Sequence, residues 1–589
     1  MTDNNTLNTL VQEWLRLDKN EETRQEISSL HESGNYDELQ KRLGSRIEFG
    51  TAGLRAKMEA GFSRMNDLTV LQASQGLAKY VLNNVQDAKS RGVVVGHDHR
   101  HHSEDFARLT AAAFISLGIR VWYYHDYVHT PMVPYTVKKK NAAAGVMITA
   151  SHNPKQDNGY KVYWENACQI IPPHDKGIAD SIQENLEPWV WDYKLVDTSD
   201  LCQEPVGVID SYFEEVEALS QYRSDNEATS LKFVYTAMHG IGAPFAERAF
   251  SCFHLPKFVP VAEQIQPDPE FSTVEFPNPE EGKGSLKLAI ETADKANADL
   301  ILANDPDADR LAIAEKVNGE WTLLTGNQIG AILGAANYEK ARAAGVPANK
   351  IAMVASTVSS KFLARMAEVE GFRFEEALTG FKWIGNKAME LEREGYTVVF
   401  AFEEAIGFTV GDIVKDKDGV SALAVFSEWA VQLKKRGMTP YQYLESLYAK
   451  YGYFVSDNSY FICGDKALIG QIFQRIRHFA NNSTEFTYPS TVAGHKVVGI
   501  RDLTVGYDST TPDNKPTLPV SSSSEMITFK LENNTVFTIR TSGTEPKIKY
   551  YSELRGSSEE QARKDLDRVV QAIGDELVEY QKNGLEWRR

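Results

Sequence analysis

The chain has 589 residues, more than one hydrophobic core organises, so several domains are expected, roughly three to five. Hydrophobic residues make up 42% and charged residues 24%, a globular balance that excludes a long disordered or low-complexity arm. Against 63 Lys and Arg stand 81 Asp and Glu, a formal charge of −18, which disfavours nucleic acid and anionic membrane as partners and leaves any phosphate to local basic groups, backbone amides or a metal.

The opening MTDNNTLNTL lacks the basic and apolar regions of a secretory leader, and its acidic character is unlike a transit peptide. The first element is a helix, because Leu7, Leu10, Val11, Trp14 and Leu15 make one apolar stripe. From Val93 the pattern alternates: strand GVVVGHD, a helix from about Ser103 with Phe106, Leu109, Ala113, Phe114 and Leu117 inward, then strand IRVWYY after Gly118. The rhythm returns in LKFVYTA near 231, DLILAND near 299, KIAMVAST near 350 and TVVFAFEEA near 397. Strands alternating with helices predict α/β domains with parallel or mixed sheets covered on both faces. The tail differs: strands ITFKL, TVFTIR and KIKYYSEL precede a long helix striped by Ala562, Leu566, Val569, Ile573, Leu577 and Tyr580, which predicts an α+β domain. The longest apolar runs, 109–119 and 142–150, fall short of the ~18 residues a membrane helix needs. Cys168, Cys202, Cys252 and Cys463 form no C-x-x-C pair, so neither a zinc ribbon nor a disulfide framework is expected, and a cytoplasmic location is.

Four polar clusters sit at strand ends, where open α/β sheets place ligands. AGVMITA runs into Ser151-His152-Asn153-Pro154, and Pro154 forces a turn that would leave Ser151 exposed; Lys155, Asn158, Gly159 and Lys161 add cations and flexibility suited to a hydroxyl that takes and gives a phosphoryl group. A plain Ser/Asn turn is the simpler alternative. In Asn304-Asp305-Pro306-Asp307-Ala308-Asp309-Arg310, three carboxylates at alternate positions after an apolar strand repel one another unless a cation lies among them, and hard oxygen donors specify Mg²⁺ or Ca²⁺. An EF-hand is excluded by Arg310 and Lys316 where its glycine and glutamate belong. Arg540-Thr541-Ser542-Gly543-Thr544, with Lys547, lies between two strands and reads as a phosphate cradle or as a Ser-Gly hairpin loop. Glu403-Glu404 ends another apolar strand and is suited to vicinal sugar hydroxyls, or is a solvated pair; Thr379-Gly380 with Lys382 makes a polar turn.

TASHNP, DPDADR, FEEAIG and RTSGTEPK, in this order, resemble the phosphoserine, magnesium, sugar and phosphate loops of the α-D-phosphohexomutase family, over nearly the whole chain from GTAGLR at 50–55 to KIKYY at 547–551. SHNPKQDNGYKVYW, LANDPDADR, LTGFKWIGN and RTSGTEPKIKYY are most similar to the branch containing phosphopentomutase, phosphoribomutase and glucose-1,6-bisphosphate synthase. The resemblance implies three related α/β domains with mixed sheets and a C-terminal α+β domain around one central cleft: residues 1–210 with the phosphoserine loop, 211–325 with the metal loop, 326–455 with the sugar loop and 456–589 with the phosphate loop. It implies Ser151 as the phosphorylated nucleophile, with Arg55, Arg100, His152 and Lys161 around it. Mg²⁺ would be held by Asp305, Asp307, Asp309 and a Ser151 phosphate oxygen, with Arg310 orienting that loop. His239, Thr379, Gly380, Lys382 and Glu403 would line the sugar site, and Arg540, Ser542, Gly543, Thr544 and Lys547 would hold the distal phosphate.

The expected activity is that of a phosphosugar mutase, interconverting sugar 1-phosphate with 5- or 6-phosphate through a bisphosphate; ribose 1,5-bisphosphate or glucose 1,6-bisphosphate would be the activator. Ala405 stands where many glucose-handling relatives have serine, which favours pentose over hexose while leaving phosphoglucomutase activity in place. The alternatives are a phosphoglucomutase, a glucose-1,6-bisphosphate synthase, an aspartyl-phosphate phosphatase built on Asp305 and Asp307 with Asp412 or Asp416, and a sugar-phosphate sensor. The expected partners are small sugar phosphates, with monomer and dimer both open.

Overall fold

The stripe at residues 7–15 lies in helix Asn4–Leu17, whose Val11 and Trp14 are buried with Ile27, Leu39 and Phe62 in one apolar cluster. Two further helices, Glu21–Glu32 and Tyr36–Leu43, complete this N-terminal group, each opened by an asparagine (Asn20, Asn35) whose side chain accepts from first-turn amides. The computed structural model describes residues 4–50, 53–479, 486–542 and 546–589, and the chain divides into two compact units: residues 1–346 with 380–440, and 347–379 with 441–589.

In the first unit, β1 (Gly53–Lys57), β2 (Val93–His97), β3 (Val121–Tyr123), β4 (Ala144–Ile148), β5 (Asp157–Trp164) and β6 (Cys202–Gln203) form a sheet in the order β1-β5-β4-β2-β3-β6. The pairs β2/β3, β2/β4 and β3/β6 are parallel, while β5 returns antiparallel beside β4 and carries β1 on its outer edge. The runs in β2 and β4 are wholly buried, as expected of strands covered on both faces, and pack with Leu77, Phe106 and Phe114 from flanking helices. A second sheet repeats this plan: β7 (Phe233–Thr236), β8 (Val259–Pro260), β9 (Leu300–Ala303), β10 (Ala312–Val317) and β11 (Glu320–Leu323) run β11-β10-β9-β7-β8, parallel between β8, β7 and β9 and antiparallel beyond. A hairpin of Thr397–Glu403 and Gly407–Val410, with stacked Phe400, Phe402 and Phe408, and helix Gly419–Lys435, capped by Asp418, belong to the same unit.

The second unit contains the parallel strands Ile351–Ser356 and Arg373–Ala377 and an antiparallel sheet built from the tail, in which Met526–Leu531, Thr535–Thr541, Lys547–Gly556 and Tyr453–Ile462 are successive neighbours. The expected terminal helix is shorter than its stripe. Regular α-helix Glu559–Ala572 widens into a π-turn at Ile573–Val578 and ends at Glu579 in left-handed conformation (φ 47), so Tyr580 falls beyond it. The ring of Trp587 packs where a Cβ on Gly574 would stand, and its strand Glu586–Arg588 pairs with Tyr453–Ile462; a three-residue strand has no readable period.

Candidate active site

The end of β4 turns sharply at Ser151, whose φ of 52 is left-handed, and Asn153 N–H donates to the Ala150 carbonyl at 3.0 Å, closing the turn that Pro154 predicted. The expectation of an exposed serine is corrected: Ser151 is only 3% exposed. Arg100 explains the inward fold of the loop. Its guanidinium donates to the carbonyls of Ser151 (2.7 Å), Asn153 (2.6 Å), Pro154 (2.8 Å) and Asp157 (3.2 Å), and lies over the Phe271 ring. These bonds place Arg100 behind the loop as a clamp on its backbone. Arg55, on β1, reaches the open side and donates to Asn153 Oδ1 at 3.2 Å.

The Ser151 hydroxyl donates to Asp305 Oδ2 at 2.8 Å, which joins the two motifs across 154 residues of sequence. Asp305, Asp307 and Asp309 follow β9 and are all 0% exposed, with one oxygen from each within 4.8 Å of the others. Ala308 takes a left-handed turn between them (φ 53), and the loop is held tightly: a Cβ on Gly240 would lie 2.3 Å from Pro306 Cα, and one on Gly419 would lie 2.3 Å from the Arg310 carbonyl. Burial and repulsion from Asp307 and Asp309 push the Asp305 carboxyl well above the usual range. Asp307, despite its burial, is held well below that range by Lys161 and Thr130, whose Nζ and hydroxyl donate to its Oδ2 at 2.7 and 2.5 Å. Lys161 also reaches Asp309 at 2.9 Å, and its ammonium is stabilised by both carboxylates. Among the described residues, Asp307 Oδ1 and Asp309 Oδ1 are buried without a hydrogen-bond partner. Two orphaned anionic oxygens in a triad of hard donors fit a small divalent cation, and a solvated acidic turn is excluded by complete burial.

His152 is the second group beside the serine, its Nδ1 3.4 Å from Oγ. Burial and the neighbouring Arg310 and Arg55 push its pKa well below the ordinary value, so it is neutral at pH 7. Arg310 Nε lies 4.0 Å from Asp305 and 3.9 Å from Asp309. The Arg310 backbone forms a β-bridge with Gly407, and Leu311 N–H donates to the Ile406 carbonyl at 3.1 Å, so the metal loop and the Glu403–Gly407 turn are stitched together. Burial raises the Glu403 pKa against the pull of Lys417. Ala405 lies on this turn and presents no hydroxyl.

Gly380 (φ 97) precedes helix Phe381–Arg393, whose buried Lys382 has its pKa lowered to about 8 by desolvation. The His239 ring is turned to Thr273 Oγ1 (2.7 Å) and Asp268 (3.7 Å). Thr379, Arg540, Ser542 and Lys547 belong to the second unit. There Arg540 donates to the Tyr551 hydroxyl at 3.0 Å, with its Nε buried and given no hydrogen-bond partner by the described residues, Ser542 N–H donates to the Lys547 carbonyl at 3.0 Å, and Lys547 Nζ lies 4.1 Å from the centre of the Tyr460 ring. Gly543 and Thr544 lie outside the described residues.

Residues 46–189, 210–319 and 325–451 match, in order, the phosphoglucomutase/phosphomannomutase α/β/α domains I, II and III. A human phosphopentomutase is 48% identical over 98% of this chain and 96% of its own, and a human glucose 1,6-bisphosphate synthase is 46% identical over 99% and 96%. The chain belongs to the phosphoglucomutase/phosphomannomutase family. It is an enzyme of the phosphotransferase and mutase class, with three α/β domains bearing mixed sheets and a C-terminal domain with an antiparallel sheet. In fold it is similar to the Paramecium phosphoglucomutase parafusin, at TM-score 0.66 and 18% identity, covering 91% of this chain and 96% of that one.

Within this family member, two side chains at the site escaped the sequence reading. Thr130 donates its hydroxyl to Asp307 and its N–H to the Asp307 carbonyl at 3.0 Å, yet in HTPMVP it looks like an ordinary helix start. Lys417 approaches Asp309 at 3.5 Å, but KDKDG reads as a solvated charge run; the available signal is its position two residues before GVSALAVF, the start of a buried helix. Asp416, weighed as part of a phosphatase motif, accepts instead from Tyr163 (2.8 Å) and Gln169 (3.0 Å).

Proposed function

We propose that the chain is a phosphopentomutase acting through a phosphorylated Ser151, with secondary phosphoglucomutase activity. The observation that carries this reading is the Ser151 hydroxyl in contact with a buried carboxylate triad, a pairing that neither a turn nor a simple sugar sensor requires. The free hydroxyl oxygen of a sugar monophosphate attacks phosphorus on phospho-Ser151, the P–Oγ bond breaks, and a bound bisphosphate results; after reorientation its other phosphoryl group returns to Oγ. Neutral His152 takes and returns the hydroxyl proton, and cationic Lys161 supports the carboxylates. Asp305, Asp307, Asp309 and an oxygen on Ser151 would hold Mg²⁺, which offsets charge on the group being transferred.

While one end of the sugar takes or gives a phosphoryl group at Ser151, the phosphate on its other end does not react, and Arg540, Ser542, Gly543, Thr544 and Lys547 have the chemistry to bind it. In this reading Arg55 and Arg310 contact the reacting phosphate, Arg100 holds the loop, and His239, Thr379, Gly380, Lys382 and Glu403 serve the sugar. The domain limits are 1–210, 211–325, 326–455 and 456–589. Four free cysteines fit a reducing cytoplasm, and among the described residues no helix is long and apolar enough to cross a membrane. Arg540→Ala should lower kcat/KM about ten- to a hundredfold, the worth of a charged hydrogen bond to phosphate. Unchanged steady-state kinetics would remove Arg540 from the substrate.

The deciding experiment compares kcat/KM for ribose 1-phosphate, deoxyribose 1-phosphate and glucose 1-phosphate with their bisphosphates present. A missing hydrogen-bond partner at Ala405 costs a hexose about 0.5–1.5 kcal/mol, roughly threefold to tenfold, so pentoses should lead with glucose measurable. Ala405→Ser should move the ratio towards glucose. A strong wild-type preference for glucose 1-phosphate would refute the pentose assignment and leave the mutase chemistry standing. The 46% identity to a glucose 1,6-bisphosphate synthase favours one second reading, charging of the sugar by an external phosphoryl donor. Turnover sustained without such a donor would exclude it as the main activity.

A further inference from the structure

Glu280 faces Arg310 from a segment that belongs to neither the metal loop nor the Glu403–Gly407 turn. Its carboxylate is 3.8 Å from Arg310 Nη1, an ion pair too long for a hydrogen bond. On the other side, the Arg310 backbone is bridged to Gly407, and among the described residues Arg310 Nε is buried without a hydrogen-bond partner. Glu280 therefore looks onto the place where the metal loop and the sugar turn join.

The turn that carries Glu280 is fixed. Asn278 is buried; its side-chain oxygen accepts from Glu280 N–H at 3.1 Å and its carbonyl from Glu281 N–H at 3.1 Å, with Pro279 between them. The side chain itself remains 38% exposed. Partial burial and repulsion from Glu404 and Glu403 raise the carboxyl to about 7 against the pull of Arg310, and Gly407, bridged to Arg310, is the strand partner of Glu403, which sets Glu280 beside that turn. Among the described residues the Glu280 carboxylate accepts no hydrogen bond. A partly exposed carboxylate on a fixed turn, beside like charges and with its acceptor oxygens taken by no described donor, is placed to receive a ligand. That ligand offers hydroxyl donors, because a phosphate would be repelled.

We propose that Glu280 is a specificity-determining residue of the sugar site, accepting a ring hydroxyl of the substrate beside Glu403 and Glu404. It supplies an oxygen acceptor next to a turn where Ala405 has no hydroxyl of its own. The proposal rests on the reading of Glu403–Gly407 as the sugar loop.

The test uses full-length Glu280→Ala and Glu280→Gln, assayed on ribose 1-phosphate, deoxyribose 1-phosphate and glucose 1-phosphate with the cognate bisphosphates. Glu280→Ala should lower kcat/KM about tenfold for the preferred sugar and change the pentose-to-glucose ratio at least about fivefold, with Glu280→Gln between it and the wild type because it keeps an acceptor oxygen. Phosphate uptake at Ser151, read by intact mass, and the Tm should match the wild type. Unchanged kinetics, or an equal loss on all three sugars, would overturn the proposal, since an effect exerted only through Arg310 is blind to the sugar. If the wild type turns over none of these sugars, or takes up no phosphate on Ser151, the mutase reading fails first and this one falls with it.

Discussion

Replacing Ser151 with alanine should end turnover, with a loss on the order of 10⁴-fold or more, because removing a covalent nucleophile leaves only binding and electrostatics. After incubation with a sugar bisphosphate, the wild type should gain one phosphate by intact mass and Ser151→Ala none. The fold should survive. Alanine and serine share the cost of a left-handed φ, and the lost hydrogen bond to Asp305 is worth about 1.5–3 kcal/mol, a moderate destabilisation rather than unfolding. Normal turnover by the variant, or a phosphate still carried at another residue, would sink the assignment.

The serine also shows where sequence reasoning stops. Strand AGVMI and the break at Pro154 were legible, because a β-branched apolar run and a missing donor act locally. The burial of Ser151 was not, because it depends on Arg100, fifty-one residues earlier, gathering four loop carbonyls. The aspartate triad was readable because charge repulsion within five residues demands a cation, whereas Thr130 and Lys417 meet the triad only through the fold. Glu280 is the sharpest case: PNPEEGKG reads as a polar turn, and its proximity to Arg310 is purely tertiary. The same distinction covers the fold. Continuous apolar runs marked the buried strands and the 3.6-residue period the flanking helices, while the three-residue strand Glu586–Arg588 and the π-turn before it are fixed by Trp587 packing on Gly574.

Asp307→Asn is the second variant of large expected effect, and its first readout needs no turnover. The charge of Asp307 is favoured, held by Lys161 and Thr130 on one oxygen, while its other oxygen is buried with no hydrogen-bond partner among the described residues. Asparagine keeps the shape and an acceptor for Thr130 but removes the charge that a divalent ion would neutralise. Mg²⁺ affinity should therefore fall by about a hundredfold or more, since replacing even an outer partner of a metal ligand typically costs ten- to a hundredfold. A ligand that binds only the folded state stabilises it by about 2.7 kcal/mol at a hundred times its Kd. At Mg²⁺ concentrations that raise the wild-type Tm by this amount, the variant should show almost no shift, and its turnover should fall in parallel. Chelation should silence the wild type reversibly, with Mg²⁺ restoring activity and Zn²⁺ not required, as expected for an all-oxygen site. An equal Mg²⁺-dependent Tm shift in Asp307→Asn, or full wild-type activity after exhaustive chelation, would remove the cation from this loop and leave the three carboxylates to the side-chain cations Lys161, Lys417 and Arg310.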